Sequence, residues 1–242
     1  MIFLLALGIG VVFLAHTAPF PFLLEAFAPS KSIWRVPDAA GRKGPPLVYL
    51  TFDDGPNPTA TPGLLDVLRD QRAHATFFLI DDHFTEATAP IVRRMFEDGH
   101  AVALHSNTRG LMIQTPEEVA RRLTTFADRI ERLAGSHPCR LFRPHAGWRS
   151  PLMYSGLRRA GYRLAGWSWG MWDWNWFRRP EAGKLAARLA KRTSRGDIVV
   201  MHDGHHLNPA ADRRYAVEAT RDLIPALRQR GYEFGRLCGP TM

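Results

Sequence analysis

From Leu47 onward, short apolar runs alternate with amphipathic stretches whose apolar residues recur every three or four positions. The runs LVYLTF, ATFFLI, AVALH, CRLFR, YRLAGWSW and DIVVMH are nearly all apolar and rich in β-branched and aromatic residues, which predicts strands buried on both faces. Helices are predicted between and after them, over about 61–72, 89–98, 116–134, 151–160, 180–193 and 214–230. A strand–helix rhythm kept up to the C-terminus predicts an α/β fold built of βα units on a parallel sheet. No internal repeat or low-complexity segment interrupts it.

The pattern before Leu47 is different. Residues 1–24 contain no Asp, Glu, Lys or Arg, and residues 1–15 are apolar throughout. A secretory signal would carry a basic start, and the cleavage-like Ala26-Phe27-Ala28 is followed by Pro29. Residues 1–28 are therefore expected to form an N-terminal hydrophobic helix that anchors the chain in a membrane, with a signal-like segment or a helix folded onto the domain as alternatives. Residues 29–46, rich in Pro, Gly and basic side chains, read as a linker, and residues 47–242 as one catalytic domain. A cell-envelope location suits an anchor. Lys31, Arg35, Arg42 and Lys43 would hold the domain on the cytoplasmic side by the positive-inside rule, so the side of the membrane stays open.

Length and composition narrow this little. At 242 residues and 45% hydrophobic content, a single barrel-sized domain is expected. The net charge of +9 comes largely from doublets such as Arg93-Arg94, Arg121-Arg122, Arg158-Arg159 and Arg213-Arg214. These read as solvated helix faces, and without interleaved aromatic residues no nucleic-acid partner is expected. Cys139 and Cys238, 99 positions apart, read as ordinary buried or half-buried thiols, with a long-range disulfide as the alternative for an exported domain.

Candidate chemistry falls at the strand ends. Asp53 and Asp54 end the first predicted strand, His105 the third, Arg143 the fourth, Asp173 follows the fifth, and His202 ends the last. In a βα barrel these ends share one face. The adjacent carboxylates of LTFDDGPN can serve different partners, one ligating a divalent metal and the other acting as general base; solvated turn acids are the alternative. His105 reads as a ligand or a rim histidine. Arg143 reads as the partner that keeps a carboxylate base ionised, or as half of a surface ion pair. His202 reads as the proton donor to a leaving amine or alkoxide, or again as a rim histidine.

Taken in order over about residues 47–235, TFDDGP, HSNTR, FRPHAG, WSWGMWDW and VMHD resemble the motifs of the polysaccharide deacetylases. These are the family 4 carbohydrate esterases, which include chitin, peptidoglycan and acetylxylan deacetylases and the nodulation-type chitooligosaccharide deacetylase domain. The resemblance implies a deformed (β/α) barrel, a divalent metal (Zn, Co or Ni), and removal of N-acetyl groups from an amino-sugar-containing glycan such as chitooligosaccharide or peptidoglycan. It further implies that Asp53 is the base, Arg143 its positioning partner, Asp54 and His105 metal ligands, and His202 the general acid tuned by Asp173. A backbone N–H near Ala146 would stabilise the oxyanion, and Trp174 would wall the sugar groove.

This chain departs from the family pattern in three places. The second metal histidine falls on Arg109, the usual Pro-Tyr pair reads His145-Ala146, and the leucine before the acid reads Val200. A guanidinium has five donors and no acceptor and cannot ligate a metal. The metal is therefore expected to bind weakly, with His145 as a substitute ligand or as a plain loop residue. Of the clustered tryptophans, Trp172 and Trp174 read as groove lining, whereas core packing explains Trp167 and Trp169 equally well. Two other functions fit the same residues: a non-catalytic carbohydrate-binding relative with Arg109 in the metal position, and a deacylase or deformylase of a lipid-linked amino sugar.

Overall fold

A computed structural model describes residues 32–37, 44–170 and 181–238. The strands are β1 (Leu47–Gly55), β2 (Thr76–Ile80), β3 (Ala101–His105), β4 (Leu141–Arg143), β5 (Arg163–Leu164), β6 (Trp169–Gly170), β7 (Ile198–His202) and β8 (Glu233–Gly235). They form one parallel sheet in the order β5-β4-β3-β2-β1-β7-β6, with β8 alongside the start of β1. The helices α1 (Thr61–Asp70), α2 (Ala89–Glu97), α3 (Pro116–Ala134), α4 (Pro151–Arg159), α5 (Ala182–Arg192) and α6 (Arg214–Gln229) cover its outer face. The curled sheet is the deformed barrel that the strand–helix rhythm and the resemblance imply. The expected N-terminal helix, residues 1–28, lies outside the described residues. No helix among the described residues is long and apolar enough to cross a membrane.

Strand alternation sorts the side chains into two cores. Val48, Leu50, Phe52, Phe77, Leu79, Val102, Leu104, Phe142, Val199 and Met201 pack outward against the helices. Tyr49, Phe78, Ala103, Leu141 and Ile198 fill the interior of the curl. Because side chains alternate with period two, the interior row on β1 continues from Tyr49 through Thr51 to Asp53. By the same parity it ends at His105 on β3, Arg143 on β4 and His202 on β7. The chemistry therefore comes from the last interior position of four strands.

Three features differ from expectation. The run YRLAGWSW breaks into β5 and β6, because Ile33 inserts beside it: the Ile33 N–H donates to the Leu164 carbonyl at 2.8 Å and the Ile33 carbonyl accepts from the Gly166 N–H at 2.8 Å. The Val36 N–H then donates to the Gly196 carbonyl, and Arg35 pairs with Asp197 at 3.1 Å. Residues 33–36, inside the expected linker, thus bridge the gap between β5 and β7, with Ile33 and Val36 buried in the interior core. Trp34 packs so closely on Gly166 that any side chain there would collide with its ring.

The cysteines are not free thiols. Cys139 and Cys238 form a disulfide with Cα atoms 6.2 Å apart. It pins the tail after β8 beneath the barrel, where Leu237 is fully buried and its N–H donates to Thr76 Oγ1 at the start of β2. A cross-link across 99 positions removes much unfolded-state freedom. Cys139→Ser with Cys238→Ser is expected to cost about 2–4 kcal/mol and to lower Tm by roughly 5–15 °C. A melting curve unchanged by reduction would contradict this.

Candidate active site

Arg143 is the best-anchored group at the site. Its side chain is fully buried, and its guanidinium stacks on Phe78, 3.9 Å from the ring centroid. Nη1 donates to Asp53 Oδ1 at 2.6 Å and to Thr51 Oγ1 at 2.8 Å, Nε to the Ala165 carbonyl at 3.3 Å, and Nη2 to the Gly166 carbonyl at 2.8 Å. Thr51 Oγ1 in turn donates to the Val199 carbonyl at 2.9 Å. A buried guanidinium with this many partners can neither rotate nor leave its carboxylate. Asp53 is thereby held in place through Oδ1.

Asp54 escapes simple alternation. The ladder between β1 and β2 shifts register between Asp53 and Gly55, and Asp54 sits in the left-handed region at φ 70. This bulge turns Asp54 into the same site as Asp53, with Oδ1 3.3 Å from His105 Nε2. Gly204 makes the turn possible, since a Cβ there would lie 1.9 Å from the Asp54 carbonyl oxygen. Burial alone would push the Asp54 carboxyl up. The hydrogen bond to His105 and the charges of His105, His202 and His145 outweigh it and hold the group well below the ordinary carboxylate range.

His105 is oriented from behind. Its Nδ1 lies 2.7 Å from the Arg143 carbonyl, which can only accept, so Nδ1 carries the proton. In the neutral ring Nε2 then points a lone pair at a carboxylate oxygen, an arrangement that calls for a proton or a cation between them. Ligand atoms roughly 3 Å apart are also what two adjacent bonds of about 2.0–2.2 Å to one ion produce, and a backbone acceptor on the distal nitrogen is the usual support for a ligating histidine. The donor set fits a divalent metal. A second acid–imidazole trio, Asp128, Glu131 and His137, lies where α3 runs down to the start of β4, at the opposite end of the barrel.

His202 ends β7 directly opposite Asp53 in the parallel register and is partly exposed. Val200 lies one interior position below it and is buried. His145 is half-buried, lies tilted against the His206 ring with centroids 4.9 Å apart, and is pushed down to about 4 by burial first, then by the charges of His105 and His206. Ala146 is exposed and left-handed at φ 50 in a turn whose hydrogen bonds start at Gly147 and Trp148. Arg109 does not pair with Asp54. It is exposed on the 3-10 turn after β3, with its guanidinium 5.3 Å above the centre of the Trp148 ring. Asp173, Trp172 and Trp174 lie outside the described residues. Trp167 packs near Trp34 and Arg143, and Trp169 is partly exposed beneath Arg192.

Sequence reasoning passed over Asp203, His206 and Trp148, although Asp203 lies within VMHD and Trp148 directly follows FRPHAG. Asp203 is fully buried, accepts from the Thr61 hydroxyl, and lies under Gly55, so it braces the turn that carries both catalytic-face carboxylates. Burial, and then the charges of Asp54 and Asp53, push it up to about 7 against the hydrogen bond from Thr61. A carboxyl raised on folding favours the protonated native state, so its contribution to stability falls as pH rises from about 4 to about 7. In metal-free protein, the unfolding free energy of wild type minus that of Asp203→Asn is expected to decline across that window. A difference that stays level or rises would mean that Asp203 is ionised throughout.

A curled parallel sheet whose strand ends bring an arginine-held carboxylate beside an acid–imidazole pair is an arrangement suited to hydrolysis. A model of the polysaccharide deacetylase family matches residues 40–165. The chain is 36% identical over 194 residues to a chitooligosaccharide deacetylase of Bradyrhizobium sp. (strain ANU 289), covering 77% of this chain and 86% of that one. It is 29% identical over 201 residues to a peptidoglycan-N-acetylglucosamine deacetylase of Bacillus cereus, covering 83% and 88%. Among solved structures it is similar to a family 4 acetyl xylan esterase from Clostridium thermocellum in complex with a cobalt ion, at 30% identity and a TM-score of 0.69, covering 79% and 88%. The chain belongs to the polysaccharide deacetylase family, hydrolases of the N-acetyl amide bonds of glycans.

Proposed function

We propose that this protein removes N-acetyl groups from an amino-sugar-containing glycan of the chitooligosaccharide or peptidoglycan kind in a reaction that needs a divalent metal. The relatives named for those two substrates support the glycan class. The observation that carries metal dependence is His105 Nε2 lying 3.3 Å from Asp54 Oδ1, with Nδ1 already committed to a carbonyl.

Asp54 and His105 would hold the metal, with His145, kept neutral by its surroundings, as a helper. When bound, such an ion polarises the acyl oxygen and makes water more acidic. Asp53 accepts the proton of the attacking water, and Arg143 keeps that carboxylate aimed. The Ala146 N–H donates to the developing oxyanion. His202 delivers a proton to the departing nitrogen, as an amide requires, and Asp173 tunes it. Trp172 and Trp174 would line the sugar groove.

The disulfide favours an oxidising compartment. This supports a domain outside the cytoplasm. Acetate released from acetylated chitooligosaccharide or peptidoglycan should be abolished by a chelator and restored by zinc, cobalt or nickel. Release that survives chelation would defeat the metal-dependent reading.

A further inference from the structure

The trio Asp128, Glu131 and His137 stands apart from the catalytic end, and no step of the reaction uses it. Asp128 and Glu131 lie three positions apart near the C-terminal end of α3, both exposed. The helix stops at Gly135, left-handed at φ 82, which turns the chain so that His137 comes round to the two acids. One oxygen of each carboxylate and a ring nitrogen of His137 lie within 4.8 Å of one another. Among the described residues no hydrogen bond joins the three, and neither carboxylate is paired with an arginine or lysine. Arg129, between them in sequence, turns to Asp81 instead. Like charges three positions apart on a helix repel, and here they do so near the negative end of the helix dipole.

The imidazole is oriented from behind, as His105 is. Its Nδ1 lies 2.7 Å from the Pro138 carbonyl, which can only accept, so Nδ1 carries a proton and in the neutral ring Nε2 keeps the lone pair. The loop is also fixed beyond it: the Cys139 N–H donates to the Val102 carbonyl at 2.8 Å, and Cys139 is bonded to Cys238. Tyr162 supplies an independent observation. Its ring packs against Arg140, three positions after His137, with the guanidinium 5.4 Å from the ring centroid. Its hydroxyl is buried with no hydrogen-bond partner among the described residues, and Asp128 is among the charges that act on it. Buried hydroxyls are ordinarily satisfied, and a water held by an ion at the trio would supply the missing partner.

We propose that Asp128, Glu131 and His137 form a second divalent-cation site, of the zinc class, that clamps the end of α3 to the loop entering β4. Two carboxylates and an imidazole suit such an ion, with water completing its shell. Bonds of about 2.0–2.2 Å need ligand atoms somewhat closer than 4.8 Å, a gap that two exposed carboxylates close by small side-chain rotations. The ion would tie to α3 the same loop that the disulfide ties to the tail after β8. The site is structural and stands or falls independently of the deacetylase reading.

The test titrates zinc calorimetrically into the whole chain after chelation. Asp54→Asn, which weakens the catalytic pair, is compared with the same variant carrying His137→Gln or Glu131→Gln in addition. Asp54→Asn should still take up one equivalent, and its Tm should rise with zinc. Either added substitution should weaken that uptake at least tenfold and remove the rise, while the zinc-free Tm changes little, since surface groups are being replaced. His137→Gln alone should keep the catalytic zinc and wild-type acetate release. Asp54→Asn taking up no zinc overturns the site. Uptake that neither added substitution alters is adventitious and overturns it equally. A larger Tm rise with calcium, which prefers an all-oxygen shell, overturns the part given to His137. If the His137→Gln protein does not fold, Glu131→Gln decides alone.

Discussion

Asp53→Asn is expected to lower acetate release by roughly 100-fold or more while leaving a folded protein that still binds metal. The carboxylate sits at the last interior position of β1, where Arg143 fixes one oxygen at 2.6 Å and leaves the other to take a proton. An asparagine keeps an acceptor for the guanidinium and the shape of the pocket but has no proton-accepting oxygen of useful basicity. Folding should therefore survive with some loss of stability. Near wild-type release from this variant, measured with zinc present, would mean that another group is the base.

Arg143→Met should have the largest effect on stability. The guanidinium is fully buried and donates to Asp53, Thr51 and the carbonyls of Ala165 and Gly166. Removing it strands a buried carboxylate and two carbonyls, and breaking a buried pair in this way costs about 3–5 kcal/mol. The same change frees the carboxylate that Arg143 aims. Urea unfolding stability and kcat should therefore fall together. A stable variant with an unchanged kcat would show that Arg143 does not hold the base.

The sequence made the site more legible than the framework around it. Motif residues could be placed because a strand end at a polar residue is a strong signal, and parity alone put Asp53, His105, Arg143 and His202 on one interior row. Asp54 lay beyond that logic, since only the bulge at φ 70 brings it beside Asp53. Residues 33–36 read as linker because their few apolar side chains are set among Pro, Gly and basic residues. What buries Ile33 and Val36 is a gap between β5 and β7 that no local pattern announces. β8, three residues long, falls below the length at which alternation can be read. The disulfide stood only as the alternative to free thiols, because spacing along the chain says nothing of distance across a barrel floor. Arg109, four positions after His105, matched the place of the missing ligand, and its side chain lies over Trp148, an aromatic partner 39 positions away that sequence spacing could not reveal.

The division of labour between adjacent carboxylates can be measured in one experiment, a calorimetric zinc titration of wild type, Asp53→Asn and Asp54→Asn after chelation. Asp54 Oδ1 and His105 Nε2 are the pair set at ligand spacing, so Asp54→Asn should lose at least about tenfold in zinc affinity, or 1.4 kcal/mol. Asp53→Asn should stay within a few-fold of wild type. Equal losses in the two variants, or a loss confined to Asp53→Asn, would contradict the assignment of base and ligand.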